Sequence, residues 1–158
     1  MIEGVKLKEL KVIKDYRGFL MEILRSDDKI FRGFGQAYIT NCRFGMAKAW
    51  HYHKKQYDNF TCVLGNALVV LYDDRKDSST RGELCEFKLS APNKNKTPFL
   101  LQIPMGIYHG FTAMKCRETI ILNIPTQKYN YRNPDEFRLP WDTNKIPYKW
   151  PKYIKKGG

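Results

Sequence analysis

The chain has 158 residues, 42% of them hydrophobic, and its 28 Lys and Arg residues exceed its 16 Asp and Glu residues to give a net charge of +12. This length suits one domain, taken here as residues 1–158, and the hydrophobic content excludes a disordered chain. The basic residues are spread along the sequence without a recognition-helix pattern, so we expect no nucleic-acid partner.

The first residues of the chain and its four cysteines indicate in which cellular compartment the protein is expected. Residues 1–6 include charged side chains and no long apolar stretch, so no signal peptide is expected. The longest uninterrupted apolar run, residues 67–72, is too short to span a bilayer, and we expect no membrane partner. No C-x-x-C spacing occurs among the four cysteines, Cys42, Cys62, Cys85 and Cys116. We interpret them as reduced thiols of a cytoplasmic protein, with two disulfides as the alternative.

The first histidine motif reads His51-Tyr52-His53, and Asp58 follows after four intervening residues. Alternate side chains of a β-strand share a face, so His51 and His53 are expected to point one way and Tyr52 the other. This strand would therefore present two imidazoles to one site.

Strand patterns dominate the remaining chain. Short runs that are apolar, or that alternate polar and apolar, are separated by turn-forming stretches at intervals of about ten residues, as in sandwiches and barrels. The predicted strands are residues 60–63, 67–72, 83–89, 99–103 and 118–124. Gly65-Asn66, between the first two, predicts a tight hairpin turn. We therefore predict an all-β fold, a jelly-roll barrel of antiparallel strands with short helical turns at most.

The third histidine, His109, closes the stretch 104–109 (PMGIYH). Together with the first motif and its flanking Gly45 and Gly65, this stretch resembles the two-part signature of the cupin superfamily. The resemblance implies one cupin domain in which four side chains meet inside the barrel mouth: His51, His53, Asp58 and His109.

The C-terminal stretch, residues 145–158, is basic, and no acidic residue follows Asp142. We interpret it as a solvated tail. A site that attracts a small anion, such as a diphosphate, accounts for the charge of the chain better than a nucleic-acid surface does.

Blocks over most of the chain resemble motifs of the dTDP-4-dehydrorhamnose 3,5-epimerase family of nucleotide-sugar enzymes. The blocks are residues 15–22 (DYRGFLME), 50–52 (WHY), 89–94 (LSAPNK), 103–111 (IPMGIYHGF), 133–136 (NPDE) and 141–151 (WDTNKIPYKWP). Their order along the chain is more specific than any single block. The resemblance implies a nucleotide-diphosphate sugar as substrate, no metal or other cofactor, and a homodimer formed through the N-terminal strands.

The same resemblance implies roles for individual residues. His51 matches the general base of the family, and His109 matches a second active-site histidine. Arg17 and Gln36 lie near positions that hold the nucleotide diphosphate. Lys48 stands where the family has an arginine three residues before the base, which keeps the charge but loses the bidentate fork to phosphate.

Other family features are absent from the sequence. The catalytic lysine of the family falls at Asp58, and its catalytic tyrosine falls on Leu122 or Asn123. The acidic partner of the histidine, from a segment beyond the C-terminal block, has no counterpart. The short spacing from His53 to Gly65 resembles instead the dTDP-4-keto-6-deoxyhexose 3,4-ketoisomerases. The sequence thus predicts an epimerase-like chain with an isomerase-like active-site strand.

These residues support proton transfer beside a keto group. A base that is neutral near pH 7 must remove the proton, and His51 is the candidate. Lys48 or His53 could donate to the enolate oxygen. Tyr131 is the candidate for returning the proton, with Tyr129 and Tyr38 as alternatives. The predicted substrate-binding set is Arg17, Gln36, Tyr38, Lys48, Asp58 and His109.

Two other classes of function stay open at the level of sequence. A metal-dependent cupin enzyme could coordinate Zn, Fe, Ni or Mn through His51, His53, Asp58 and His109. We favour the metal-free alternative, in which Asp58 hydrogen-bonds a histidine near the His51–His53 pair. A non-catalytic cupin that binds a sugar nucleotide or carbohydrate is the third hypothesis, because the lysine and tyrosine are missing.

Overall fold

The computed structural model describes residues 1–93 and 95–158; Lys94, which ends the 89–94 block, lies outside them. The strands in chain order are β1 (Lys6–Glu9), β2 (Val12–Asp15), β3 (Gly18–Met21), β4 (Tyr38–Arg43), β5 (Met46–Tyr52), β6 (Asp58–Leu64), β7 (Asn66–Asp73), β8 (Leu84–Ser90), β9 (Phe99–Ile103), β10 (Ile107–Ala113), β11 (Glu118–Asn123), β12 (Phe137–Arg138) and β13 (Lys156–Gly157). The described residues form no α-helix, which confirms the all-β prediction. Accordingly, no helix in this part of the chain is long and apolar enough to cross a membrane.

Two main sheets form the jelly roll. The first has five strands in the order β1-β9-β6-β11-β4, and the second has the order β12-β5-β10-β7-β8, with β13 also paired to β5. All paired strands are antiparallel except β13 and β5, which run parallel. Strands β2 and β3 form a separate hairpin. This arrangement confirms the predicted jelly roll.

Strand β7 shows how the core is built. Val69 and Leu71 point into the core between the two main sheets, while Leu68 and Val70 pack on the opposite face of their sheet. All four side chains are at most 5% exposed. Because both faces of β7 are buried, its sequence reads as a continuous apolar run instead of an alternating one.

The hairpin predicted at Gly65-Asn66 is wrong. Strand β6 belongs to the five-stranded sheet and β7 to the six-stranded sheet, so the two strands do not pair. Gly65 has a φ of +73°, and a Cβ atom there would lie 2.4 Å from the carbonyl oxygen of Glu118. The glycine therefore marks a sharp corner at which the chain crosses from one sheet to the other.

The interpretation of the C-terminal stretch as a solvated tail is also wrong. Ile146, Trp150 and Ile154 are 3%, 9% and 7% exposed and pack against the face of the six-stranded sheet that points away from the main core. The ring of Trp150 lies 5.2 Å from that of Trp50 on β5. Burial of three large apolar side chains stabilises this packing, while the lysines between them stay in water.

A β-bulge determines which side chains of β5 reach the interior of the barrel. On β10, His109 pairs with His51 and Phe111 pairs with Lys48, so a two-residue step on β10 opposes a three-residue step on β5. The extra residue lets Lys48 and His51, which are an odd number of positions apart, both face the same cavity. Without the bulge, strict alternation would place Lys48 and His51 on opposite faces of the sheet.

Candidate active site

A cavity of about 1080 Å³ is walled by strands of both sheets and bordered by residues 127–138. Seven of the predicted site residues line it: Gln36, Tyr38, Lys48, His51, His53, His109 and Tyr131. Asp58 does not line the cavity itself but contacts two of these histidines, His53 and His109. Arg17 is not among the residues that line the cavity. The cavity is therefore the candidate active site.

The three histidines surround this cavity. The ring centroid of His109 lies 6.1 Å from that of His51 and 5.6 Å from that of His53. Tyr52, between the two β5 histidines, packs instead against Tyr108 at 4.6 Å. The expected alternation of side chains along His51-Tyr52-His53 is confirmed, and so is the convergence of the two histidine motifs.

Asp58 is 2% exposed and occupies the first position of β6. Its Oδ2 atom lies 3.3 Å from Nε2 of His53 and 3.4 Å from Nε2 of His109. Its Oδ1 atom accepts hydrogen bonds from the side-chain amides of Gln56 and Asn123 at 3.0 and 2.9 Å. Burial acts to raise the pKa of Asp58, but the contacts with His53 and His109 lower this pKa overall. The carboxyl group is therefore ionised, with partners on both oxygens.

His53 is held from both sides of its ring. Its Nδ1–H donates to the carbonyl oxygen of Asp135, so its Nε2 atom faces Asp58. The carboxylate of Asp135 accepts hydrogen bonds from the backbone N–H groups of Lys54 and Lys55, which fixes the loop. Burial lowers the pKa of His53, but the hydrogen bond and charge of Asp58 outweigh this effect and raise the pKa above its ordinary value. The pair therefore favours an imidazolium beside a carboxylate.

The environment of His51 lowers the pKa of that histidine, in contrast to His53. Burial lowers the pKa of His51 to about 3, and the nearby His109, Arg138 and His53 act in the same sense. Its Nε2 atom lies 4.0 Å from Oε1 of Glu136. At neutral pH the ring is therefore uncharged and can accept a proton.

His109 is the most enclosed of the three histidines, at 4% exposure. Its Nδ1–H donates to the carbonyl oxygen of Ile107 at 3.1 Å, and its ring meets the edge of Phe60 at 5.7 Å. Burial lowers the pKa of His109, although the charge of Asp58 opposes that shift. His109 is thus a neutral group beside Asp58: with its proton on Nδ1, its Nε2 atom has no hydrogen to donate to the carboxylate.

Tyr38 and Lys48 present a phenol and an ammonium group to the cavity. Burial and the charge of Asp58 raise the pKa of Tyr38 to about 12, so the phenol keeps its proton. The Tyr38 oxygen accepts a hydrogen bond from Asn123 at 2.9 Å, and the same amide group also donates to Asp58. The Lys48 ammonium donates to the hydroxyl of Thr40 at 2.8 Å.

Arg17, Tyr131 and Gln36 occupy more peripheral positions. Arg17 lies at the turn of the β2–β3 hairpin, and its guanidinium binds Asp15 at 2.7 Å, so the structure does not bring it into the cavity of its own chain. Tyr131 borders the cavity but is 91% exposed, and its ring packs edge-on against Tyr129 at 5.0 Å. Gln36 accepts a hydrogen bond from the backbone of Tyr129 at 3.3 Å.

Sequence reasoning assigned no role to several polar residues of the site, four of which act beside His51 and Asp58. Glu136 and Arg138 border the cavity, while Gln56 and Asn123 hold Asp58. The NPDE block pointed to residues 133–136 as a family motif, but nothing in its spacing indicates that it folds back onto β5. Only the pairing of β12 with β5 brings Glu136 to His51.

One group of side chains satisfies the distances of a metal site. Among the described residues, ligand atoms of His53, Asp58 and His109 lie within 4.8 Å of one another. His51 is not part of this group, and its Nε2 atom lies 4.0 Å from Oε1 of Glu136. The four-residue ligand set expected from the cupin pattern is therefore reduced to three.

The comparisons with known proteins agree with the fold. The family model described as dTDP-4-dehydrorhamnose 3,5-epimerase matches residues 1–156. The spore coat polysaccharide biosynthesis protein SpsL of Bacillus subtilis is 41% identical over 150 residues, which cover 95% of this chain and 97% of SpsL. The probable low-salt glycan biosynthesis epimerase Agl13 of Haloferax volcanii is 38% identical over 151 residues, covering 94% of each chain.

A solved structure gives the same result. The dTDP sugar isomerase of Desulfovibrio desulfuricans superposes with a TM-score of 0.85 and 30% identity, covering 94% of this chain and 92% of that one. The match of the family model over nearly the whole chain confirms the resemblance seen in the sequence blocks. The chain belongs to the dTDP-4-dehydrorhamnose 3,5-epimerase family and is an isomerase of the nucleotide-sugar epimerase class.

Proposed function

We propose that the chain acts on a dTDP-4-keto-6-deoxyhexose and removes the proton beside the keto group with His51. The observation that carries this proposal is the pair of opposite pKa shifts on His51, near the end of β5, and His53, just after it. The pKa of His51 is lowered by burial, and the pKa of His53 is raised by Asp58. Neighbouring groups whose pKa values are pushed apart are the usual sign of a base and an acid.

Protonated His53, the acid of this pair, replaces the lysine that the family resemblance implies at position 58. Removing the substrate proton leaves an enolate whose oxygen needs a positively charged donor. Asp58 cannot donate, but it stabilises the protonated form of His53 at 3.3 Å. Both ring N–H groups of His53 already have partners in Asp135 and Asp58, so we assign its positive charge, acting through space and without a hydrogen bond, to the stabilisation of the enolate. Lys48, whose ammonium group lines the same cavity, is the second cation available there or for the diphosphate.

Tyr38 is the group that we assign to proton return. The family tyrosine falls on Leu122 or Asn123 in this chain, and Asn123 is the register partner of Tyr38 on the neighbouring strand. A phenol therefore reaches this part of the site from β4 instead of β11. The raised pKa of Tyr38 keeps the proton available for donation. Tyr131 stays a candidate, although its exposure places it in contact with solvent.

The partner of the site is a nucleotide-diphosphate sugar, and a second copy of the chain completes the assembly. Isolated two-stranded hairpins are marginal in water, yet β2 and β3 expose Ile13, Phe19 and Leu20 at 51%, 58% and 57%. We infer a homodimer in which this hairpin packs on the partner. Arg17, at the tip of the hairpin, would then bind the diphosphate in the cavity of the other protomer.

A cytoplasmic location fits the chemistry of the cysteines. All four are free thiols, and two of them are fully buried. Free thiols persist in reducing compartments, where nucleotide sugars would reach the enzyme directly.

Solvent-deuterium exchange tests the proposal. The wild-type protein in D2O should incorporate deuterium beside the keto group of a dTDP-4-keto-6-deoxyhexose, as followed by NMR. His51→Asn should reduce this exchange by about 10²–10⁴-fold, the usual contribution of a general base, while dTDP still binds. Undiminished exchange in the variant would remove His51 from the role of base.

A metal-dependent reaction is the second candidate, since ligand atoms of three residues lie within 4.8 Å. Elemental analysis of protein purified without a His-tag separates the two hypotheses. A stoichiometric transition metal, with activity lost to a chelator and restored by that metal, would favour the metal-dependent reaction. Binding of a dTDP-sugar without any exchange would instead indicate a protein that retains the pocket and has lost the chemistry.

A further inference from the structure

Glu136 faces the proposed base but is engaged by another residue. The distance from Nε2 of His51 to Oε1 of Glu136 is 4.0 Å, which is too long for a hydrogen bond. The same Oε1 atom accepts hydrogen bonds from Nε and Nη2 of Arg138 at 2.8 and 2.6 Å. The guanidinium of Arg138 therefore occupies the carboxylate oxygen that is directed at His51.

The backbone fixes this arrangement while leaving one side chain free to move. Arg138 is the register partner of His51 in the pairing of β12 with β5. The next pair in the ladder, Phe137 and Tyr52, stacks with ring centroids 5.0 Å apart. The side chain of Glu136 is 21% exposed, whereas that of Arg138 is 63% exposed and borders the cavity. Of the two partners, Arg138 is therefore the one that can turn toward a ligand.

Among the residues that the structure describes, no other carboxylate that faces His51 is free to orient it. The charged and titratable groups that face His51 come from strands β5, β6, β10 and β12 and from the segment before β12: His53, Asp58, His109, Arg138 and Glu136. Asp58 is already engaged by His53 and His109 on one oxygen and by two amides on the other. That leaves Glu136 as the acidic partner for His51.

We propose that Glu136 is a positioning residue for His51, and that Arg138 holds it away from the ring until the diphosphate of the substrate draws the guanidinium off. The inference rests on the proposed function, because that function supplies the diphosphate. An arginine fork binds phosphate and carboxylate by the same bidentate geometry, so the two anions compete for it.

The release of Glu136 has a defined chemical consequence. Once Arg138 turns to the diphosphate, Oε1 needs to approach Nε2 by only about 1 Å to form a hydrogen bond. That bond selects the tautomer with its proton on Nε2 and leaves the lone pair of Nδ1 to take the substrate proton. The electron pair of the broken C–H bond passes to the enolate. Glu136 takes up no proton in this step and stabilises the imidazolium through the hydrogen bond.

The tautomer of His51 is measurable without turnover. In wild-type protein labelled with ¹⁵N in its histidines, addition of dTDP alone should shift His51 to the Nε2–H tautomer. Glu136→Ala should abolish this shift although dTDP still binds. Arg138→Gln should show the Nε2–H tautomer already in the absence of dTDP. A dTDP-induced change that is identical in wild type and Glu136→Ala would overturn the proposal.

Kinetics supply the second readout. Glu136→Ala should lower kcat about 10²-fold with little change in KM, and Glu136→Asp should recover part of the loss. Asp74→Asn is the matched control, because Asp74 pairs with Arg81 at 3.3 Å on the surface away from the cavity. Absence of exchange in wild-type protein would refute the proposed function. An active wild type with an unaffected Glu136→Ala variant would refute only the positioning role.

Discussion

Nε2 of His53 lies 3.3 Å from Oδ2 of Asp58, and both side chains are withdrawn from solvent. His53 follows β5 and Asp58 begins β6, so the loop between them returns the chain from one sheet to the other with these two residues facing each other. The family resemblance implies a lysine ammonium at position 58. Here a carboxylate occupies that position and raises the pKa of His53, and we propose that protonated His53 supplies the positive charge instead.

The charge of Asp58 should therefore be essential for turnover. Asp58→Asn removes the group that raises the pKa of His53, so less imidazolium is present at neutral pH. We expect kcat to fall by about 10²-fold or more, within the range attributed to positioned acid–base groups. Steady-state kinetics measure the effect, and circular dichroism checks that the variant is folded. A kcat within twofold of wild type would show that His53 does not act as a cation.

The identity of the proton donor can be decided by comparing two tyrosine variants. Tyr38→Phe removes the hydroxyl that lies in the network of Asn123 and Asp58. We expect this variant to exchange the substrate proton with D2O while forming product about 10²-fold more slowly, because abstraction persists and reprotonation fails. The same result in Tyr131→Phe, and not in Tyr38→Phe, would restore Tyr131 as the acid. NMR of the sugar protons measures both steps.

The sequence predicted five of the strands, β6 to β9 and β11, and the convergence of the histidines because both depend on short-range rules. Alternation places His51 and His53 on one face, and the glycine-containing stretch before His109 starts the strand that pairs with β5. The corner at Gly65 was misjudged for a physical reason. A glycine with positive φ permits a sharp turn, but the turn itself does not determine which sheet the next strand joins.

Contacts between distant segments explain why sequence reasoning missed Glu136, and how two predicted residues, Tyr38 and Lys48, reach the cavity. Glu136 reaches His51 only through the two-residue strand β12, which is too short for any periodicity to reveal. Tyr38 lies beside Asn123 because β4 and β11 are neighbours, and no local sequence pattern indicates that pairing. Lys48 faces the cavity only because β5 carries a bulge.

The pKa of His51 also predicts how stability depends on pH. The pKa is about 3 in the folded protein and 6.5 ordinarily, so the unfolded chain takes up the proton first as the pH falls. The contribution of neutral His51 is therefore complete above pH 6.5 and is lost as the pH falls through this interval toward 3. His109 acts in the same direction. His53 acts oppositely, since its contribution is lost as the pH rises through its raised pKa.

Urea unfolding of wild type and His51→Asn at several pH values tests this dependence. Between pH 6.5 and 4 the free energy of unfolding should fall more steeply in wild type, with a difference in slope of up to about 1.4 kcal/mol per pH unit. Carboxylates elsewhere affect both proteins equally, so the comparison isolates residue 51. Parallel curves would mean that His51 is protonated in the folded protein at these pH values.

Packing of the C-terminal segment predicts a stability effect far from the cavity. Trp150 is 9% exposed and lies against Trp50, the residue that precedes His51. Trp150→Ala should lower the free energy of unfolding by about 3–5 kcal/mol, the usual cost of emptying a buried aromatic site. Lys152→Ala, in the same segment but exposed, is the control and should change stability by less than about 0.5 kcal/mol. Thermal and urea unfolding measure both variants. If this segment were a solvated tail, the two substitutions would have equally small effects.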